Sequence, residues 1–352
     1  MPRLYDYTGV IHFHSEYSHD GRTPLVEIIQ AAGENSIDFL MLTDHSTLEA
    51  KRAGFEGWHG DVLLIVGEEI DPRFNHYLIF GIDEPIVVNE DEELDPQLYV
   101  DEVREKGGIG FISHPDHQGT EMFHVKHYPW LDWTVSGYTG MGIWDFMTDW
   151  QSSLKGYVGA LLSYLFPAYV LKGPKKVTLG RWDNLNQSSK VVGIGELDNH
   201  DTVRKVFGLS LSIFPFRKAF RFVRTHLLTE MPLVKDDRED QETLLAALKS
   251  GRAYMALEYF REAKGFSFII ADGSSESTMG DEFLLDRQAV IKVEIPERGK
   301  IRVIRDGELF REVVGREVEY EIERKGIYRI EVYLKILEKY RPWIFSNPVY
   351  VR

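Results

Sequence analysis

Up to residue 200, five short apolar runs each end in a polar cluster holding a histidine or a carboxylate, and this repetition constrains the chain most. Val10–Phe13 runs into His14, Ile37–Leu42 into Thr43-Asp44-His45, and Val62–Val66 into Gly67-Glu68-Glu69. Ile109–Ile112 runs into Ser113-His114-Pro115, and Val191–Ile194 into Gly195-Glu196-Leu197-Asp198-Asn199-His200. A further run, Tyr77–Phe80, follows directly behind His76. Helical signals lie between them. Pro24 suits a first helical turn, after which Leu25, Ile28, Ile29 and Ala32 share one face. A helix is expected from Pro96 to Lys106, stopped by Gly107-Gly108. Strand, polar cluster, helix, strand is the rhythm of a parallel sheet with crossover helices, either a (β/α) barrel or an open α/β sheet.

The rhythm breaks between Asp145 and Lys190, a block most simply read as an insertion, and Phe207–Phe216 is expected to pack against it. Leu244–Leu248 gives a helical face closed by Ser250-Gly251. After about residue 260 the alternation becomes period two, with Val318, Tyr320, Ile322 on one run and Tyr328, Ile330, Val332, Leu334 on another. Asp306-Gly307 between apolar runs is a hairpin signal. The expected division is residues 1–260 as an α/β domain, with an insertion at about 145–190, and residues 261–352 as an antiparallel β-sandwich.

At 352 residues the chain is long for one domain. Zero Cys excludes a disulfide framework, cysteine-liganded zinc and a thiol nucleophile. With 41 basic and 56 acidic residues the net charge is −15, which disfavours an extended nucleic-acid track. The N-terminus has no signal-peptide pattern. Tyr157–Leu171 is too short for a membrane span and carries Pro167. The expectation is a cytoplasmic protein with no membrane partner. So much apolar surface in Tyr157–Leu171 should be covered, either over a pocket or in a homo-oligomer contact.

His12 and His14 are two apart, as are Asp198 and His200. Asp20 follows in a turn before Gly21, and His45, Glu69, His76 and His114 fall at the edges of runs. In a parallel barrel the carboxyl ends of strands converge on one rim, where enzyme sites are built. A set of imidazoles and carboxylates crowded there would repel or neutralise without a cation, and all-nitrogen and oxygen ligation suits zinc, manganese or iron.

The run His12-Phe13-His14…Ser18-His19-Asp20-Gly21, with Leu42-Thr43-Asp44-His45, Gly67-Glu68-Glu69, His76, Ile112-Ser113-His114-Pro115 and Asp198-Asn199-His200, resembles the PHP (polymerase and histidinol phosphatase) family over roughly residues 8–202. That resemblance implies a distorted (β/α)7 barrel with two or three divalent metal ions, followed here by the C-terminal all-β domain. It implies hydrolysis of phosphoesters by hydroxide held between metals. His12, His14 and Asp198 would then ligate a first metal and His76 and His114 a second, with Glu69 bridging the two. Asp20, His45 and His200 would hold a third. Glu69 is preferred to Glu68 as the bridge because a one-residue slip turns a strand side chain to the other face. The family's small-residue approach to the last motif is replaced by Gly195-Glu196-Leu197, which adds bulk and a charge. The insertion, the tail, Trp182-Asp183, Ala246–Gly251 and the closing run Phe345–Val351 resemble the CehA-like branch, whose name is associated with carbamate hydrolysis.

The expected reaction is hydrolysis of a small, phosphorylated substrate, with Asp198 orienting the nucleophile or shuttling its proton, and with His117 as a proton donor to the leaving group, a support behind the ligands or an exposed loop histidine. Arg22 is the candidate substrate-binding residue. Arg217, Lys218, Arg221 and Arg224, or Lys172, Lys175 and Lys176, are candidates for a phosphate clamp, although surface solvation is the commoner role. Trp130, Trp133, Trp144 and Trp150 are expected to line a pocket or pack a core. Two alternatives stand beside this reading. One keeps the metals but attacks a carbamate, amide or carboxylic ester; the other is a non-catalytic protein with a ligand-binding β domain.

Overall fold

The computed structural model describes residues 4–88, 94–121, 124–206 and 209–352. Among the described residues, the strands that frame the first part of the chain are β1 (Tyr5–Ile11), β2 (Phe39–His45), β3 (Val62–Ile70), β4 (Tyr77–Phe80), β5 (Ile109–Ile112), β6 (Gly140–Asp145), β7 (Val192–Glu196), β8 (Val223–Thr229) and β9 (Ala253–Leu257). β1, β2 and β3 pair in parallel, as do β5, β6 and β7. β4 lies antiparallel between β3 and β5. The sheet is therefore mixed rather than purely parallel. The reversal brings His76, at the amino end of β4, to the same edge as the carboxyl ends of its neighbours.

The sheet curls back on itself at that edge. Leu197 and Asp198 donate backbone hydrogen bonds to the carbonyls of Ile11 and His12 (3.0 and 2.8 Å), and His14 donates to Asn199 (3.1 Å). The segment after β7 thus pairs with the segment after β1. β8 and β9 extend the other side of β1 as antiparallel strands.

Strand alternation divides the core. Phe39 and Met41 of β2, Leu63 and Ile65 of β3, and Leu78 and Phe80 of β4 pack together with Leu244 and Leu248 of the helix Asp237–Ser250. Leu40, Leu42, Leu64, Val66 and Ile79 belong to the opposite face, with Leu25, Ile28 and Ala32 of the helix Leu25–Glu34. Both faces are covered, which is why these strands are nearly all apolar. Asp236 caps the helix Asp237–Ser250 by accepting the backbone N–H groups of Arg238 and Glu239, and Gly251 ends it at φ 77°. The helix Pro96–Glu105 begins where Asp95 accepts the Gln97 N–H.

Several elements differ from expectation. β1 starts at Tyr5 and stops at Ile11, so His12 and His14 lie just past the strand, and His12 takes a left-handed backbone (φ 69°). The period-two argument for that pair does not apply; the turn itself directs both rings. β6, β8 and β9 are strands that periodicity did not signal. The insertion contains the helices Phe146–Gln151, Gly156–Leu165 and Lys176–Asn186. In the stretch Phe207–Phe216, Phe207 and Gly208 lie outside the described residues. Phe214 packs against Phe146 and Trp150, with ring centroids 5.0 and 4.8 Å apart.

In the tail, β10 (Ser267–Ala271), β11 (Ala289–Arg305), β12 (Glu308–Ile322), β13 (Gly326–Ile336) and β14 (Lys339–Ser346) pair antiparallel around an apolar cluster that also takes in Leu228 of β8 and Tyr254 and Ala256 of β9. Asp306 and Gly307 (φ 52° and 82°) form the two-residue turn between β11 and β12. Glu282–Phe283 pairs in parallel with Val349–Val351, so the tail is not wholly antiparallel. β14 also pairs with β9, and the hydrogen-bonded network runs on from one part of the chain to the other.

Candidate metal centre

On the face of β2 and β3 that carries Phe39, Met41, Leu63 and Ile65, alternation continues to Thr43 and His45 and to Gly67 and Glu69. The apolar floor ends there and a polar layer begins. Glu69 is 1% exposed and sits at its centre. Its Oε2 lies 3.0 Å from His12 Nε2 and 3.3 Å from His14 Nε2, while its Oε1 lies 2.9 Å from His76 Nδ1 and 3.2 Å from His114 Nε2. His45 Nδ1 also lies 3.5 Å from Oε2, so one oxygen faces two imidazoles and the other three. Asp198 Oδ1 lies 3.4 Å from His12 Nε2 and 3.7 Å from His14 Nε2. Asp20 Oδ2 lies 3.0 Å from His200 Nε2 and 3.4 Å from His45 Nε2. Three groups of ligating atoms result: His12, His14, Glu69 and Asp198; Glu69, His76 and His114; and His14, Asp20, His45 and His200. Within each group the atoms lie within 4.8 Å of one another. All nine residues singled out in the sequence meet here, with Glu69 and His14 each shared by two groups.

Backbone strain aims several of them. His12, His114 and Asp198 have φ values of 69°, 26° and 51°, a region costly for residues with a Cβ. Buried acceptors hold the layer from below. Glu196, fully buried, takes Ser113 Oγ–H (2.9 Å) and the His114 N–H (3.0 Å), and its Oε1 is 3.2 Å from His12 Nδ1. A proton on Nδ1 leaves Nε2 of His12 as the lone-pair nitrogen facing Glu69 and Asp198. Asp44 accepts both the N–H and the hydroxyl of Ser15 (2.6 and 2.7 Å), fixing the turn that follows His14. Ser18 donates to Asp20 (2.9 Å).

The charges are arranged to hold cations. Burial works against the ionised form of Glu69, yet His12 and His45 hold its carboxyl well below the usual range. Burial likewise opposes ionised Asp20, which His200 and His45 keep low. Burial also disfavours a charged His114, but Glu69 draws it up to about 9. Protons are thus pulled onto imidazoles that a metal would need neutral, the competition expected of a metal site. The donor set itself fits divalent ions. His14 is stacked between His45 and His200, with centroids 4.3 and 3.9 Å away, and neither of its buried ring nitrogens makes a hydrogen bond. Nδ1 of His45 and of His114 is also without one. Such buried atoms are costly unless a ligand engages them.

Glu68 points to the other face, where its carboxylate accepts the Ile86 N–H (2.7 Å) and burial raises it to about 8. His117 is buried beside His114, with centroids 5.4 Å apart. Its Nδ1 accepts the Tyr128 N–H (3.2 Å) and its Nε2 faces Gln151 Oε1 (3.0 Å). Burial and His114 push it down to about 3, so it is a neutral imidazole with both nitrogens engaged. Arg22 is exposed and donates to the carbonyl of Asp201, next to His200 (3.0 Å). Arg224 is buried against Glu258 (2.7 Å), and Lys175 donates to the carbonyl of Asp116. Trp130, Trp144 and Trp150 are core residues, whereas half-buried Trp133 lies under Arg181 (4.1 Å). Asp71 escaped the sequence reading although it lies two residues beyond Glu69, hence on the same face; its Oδ2 is 3.2 Å from His45 Nδ1. Asp145, raised to about 8 by burial and by Asp198 and Glu196, was also missed.

No protein-family model matches the chain, and no curated protein matches it. Solved structures do. A two-domain protein from Bacteroides vulgatus, containing a predicted PHP-like metal-dependent phosphoesterase, is similar over 97% of this chain and 95% of its own, at 14% identity and a TM-score of 0.45. A protein from Bifidobacterium adolescentis named as a candidate metal-dependent phosphoesterase matches 57% of this chain and 89% of its own (13% identity, TM-score 0.36). An amidohydrolase from Chromobacterium violaceum, with sulfate bound and no metal, matches 59% and 92% (14% identity, TM-score 0.34).

Proposed function

We propose that the chain is a metal-dependent hydrolase of PHP type, its curled sheet a distorted (β/α)7 barrel, acting on a small phosphate ester. The observation that carries this reading is the sharing of Glu69: one buried carboxylate facing five imidazoles, those of His76 and His114 at Oε1 and those of His12, His14 and His45 at Oε2. His12, His14 and Asp198 would hold one ion, His76 and His114 a second, and His14 or Asp20 with His45 and His200 a third. Zinc, manganese or iron suits these donors. Divalent ions in such a cage supply Lewis acidity and make water nucleophilic near neutral pH.

The chain's own residues do the rest. Glu69 is held ionised by its imidazoles and keeps the two groups in register. Asp198, whose side chain is 14% exposed, is the carboxylate placed both to touch His12 and to reach a water at the rim, where it accepts a proton. Glu196 fixes the tautomer of His12. His117, with both nitrogens engaged, positions the loop after His114. Arg22, held beside Asp201, is the rim cation closest in sequence to the Asp20 turn.

The test is turnover of metal-reconstituted protein on p-nitrophenyl phosphate, bis-p-nitrophenyl phosphate and p-nitrophenyl acetate. Release from either phosphate that depends on added metal supports the reading. Release from the acetate alone moves the activity to carbonyl hydrolysis, and release from none removes the enzyme reading in favour of a binding role for the β domain.

A further inference from the structure

The helix Gly156–Leu165 is apolar on nearly every side and turns most of that surface outward. Tyr157, Val158, Leu161, Leu162, Leu165 and the following Phe166 are each 50–79% exposed, and Ser163 is the buried residue of the helix. An apolar face of this density on a soluble protein marks an interaction surface. Its charge surroundings are as unusual. No Asp or Glu occurs from residue 150 to 182, or from 202 to 229, although the whole chain nets −15; these two segments carry eleven Lys and Arg, of which Arg181, Arg217 and Arg224 are paired with Asp116, Glu34 and Glu258. The structure joins them. Tyr164 donates its hydroxyl to the carbonyl of Ser212 (2.9 Å), and Lys218 donates to the carbonyl of Tyr164 (3.1 Å) with its ammonium 4.6 Å from that ring. Phe214 packs against both Trp150 and Tyr164.

We infer that this helix docks the protein onto a lipid bilayer bearing anionic headgroups, lying in the interface rather than crossing it. Ten residues make a helix of about 15 Å, half the hydrocarbon thickness, and among the described residues no helix is long and apolar enough to cross a membrane. Apolar residues flanked by lysines whose stems reach back to the headgroups are what an interfacial helix requires. Charge decides between a membrane and a second copy of the chain. Asp201, hydrogen-bonded to Ser212, is an acid beside the patch, but the cations Lys155 and Lys218 flank the helix itself; a two-fold pairing would set these against the same cations of the other copy, whereas anionic lipid complements them. Docking here also sets the metal centre at the membrane side. The helix begins five residues after Gln151, whose side chain meets His117.

Vesicle co-sedimentation of the full chain tests this without requiring turnover, so it stands or fails apart from the hydrolase reading. Vesicles of equal parts phosphatidylglycerol and phosphatidylcholine are expected to pellet the protein, pure phosphatidylcholine far less, and salt at about 0.5 M to weaken binding. Leu161→Glu with Leu162→Glu should abolish pelleting, and Lys155→Glu should reduce it by about tenfold; circular dichroism checks that each variant is folded. Equal pelleting with both lipids, no pelleting, or unchanged binding by the folded variants overturns the inference. So does a stable dimer in vesicle-free solution that dissociates in the double variant, which would assign the patch to a second copy.

Discussion

The carboxylate of Glu196 occupies the space that a side chain at Gly142 would fill. A Cβ built on Gly142 falls on Oε2 of Glu196, so the glycine on β6 and the glutamate on β7 are one fitted pair. Glu196 has little room to retreat, being fully buried and bonded to Ser113, the His114 N–H and His12 Nδ1. Gly142→Ala should displace it and free His12 to rotate, weakening metal affinity by about 10–100-fold while the fold persists. Glu196→Gln should do the same by presenting an amide N–H to a backbone N–H. Competition with a chelating dye measures the affinity. Wild-type affinity in both variants would show that Glu196 only fills space.

Removal of single ligands distinguishes a shared centre from independent sites. His14→Ala deletes a side chain common to two of the groups. It should lower bound metal by more than one equivalent and reduce metal-dependent hydrolysis by at least about a hundredfold. Asp198→Asn keeps shape and should lose comparable activity with a smaller loss of metal. Elemental analysis of each purified variant gives the stoichiometry. Full turnover in either metal-loaded variant would sink the assignment.

A second buried histidine, remote from the centre in its partners, predicts a pH effect on stability. His226 Nδ1 is 2.8 Å from Asp6 and its Nε2 is 3.2 Å from Glu258, with the Tyr254 ring stacked on it at 4.3 Å. Burial opposes its protonation, but Asp6 and then Glu258 raise it to about 9. A pKa raised on folding gives stability that is complete below the unfolded value, about 6.5, and is lost as pH climbs through 9. The loss is at most about 3 kcal/mol. Urea midpoints at about pH 6 and pH 9 should differ more in wild type than in His226→Gln. Parallel profiles would show that the histidine is neutral when folded.

Most of the centre was legible because strand periodicity and residue type agreed. Glu69 could be chosen over Glu68 by alternation, since Leu63, Ile65, Gly67 and Glu69 share a face and the β2–β3 register runs without a bulge. His12 shows the limit of that logic. Its ring points into the centre through a left-handed backbone, which no periodicity encodes. Glu196 was visible as an added charge but not as a support, because its partner Gly142 is distant in sequence and carries no chemistry of its own. β6, β8 and β9 were unmarked for a different reason: Gly140 and Gly142 interrupt β6, Arg224 and His226 interrupt β8, and β9 carries two alanines, which are depleted in strands. The lysines and arginines around the uncharged helix Gly156–Leu165 were hidden by the whole-chain charge of −15, which averages over local charge.

The tail is tied to the α/β part by a buried ion pair. Arg329 on β13 is 3% exposed; its Nε and Nη2 reach both oxygens of Asp183 at 2.7 and 2.8 Å, and its Nη1 reaches Glu331 at 2.7 Å. Asp183 belongs to the helix Lys176–Asn186, far away in sequence. Desolvating a guanidinium is tolerable only because two carboxylates satisfy it, so removing it strands two buried anions. Arg329→Met should therefore destabilise the protein by about 3–5 kcal/mol. The exposed pair Lys335–Glu338 serves as a control, and Lys335→Ala should change stability by less than about 0.5 kcal/mol. Urea unfolding of both variants, followed by tryptophan fluorescence, reads the difference. Trp182 lies next to Asp183 with Arg329 5.5 Å from its ring, so an early, separate fluorescence transition in Arg329→Met would show the junction opening before the rest unfolds. An unchanged midpoint would mean that the other contacts across the junction, among them the pairing of β9 with β14 and the bonds of Asn347 to Gly193, hold the two parts together without Arg329.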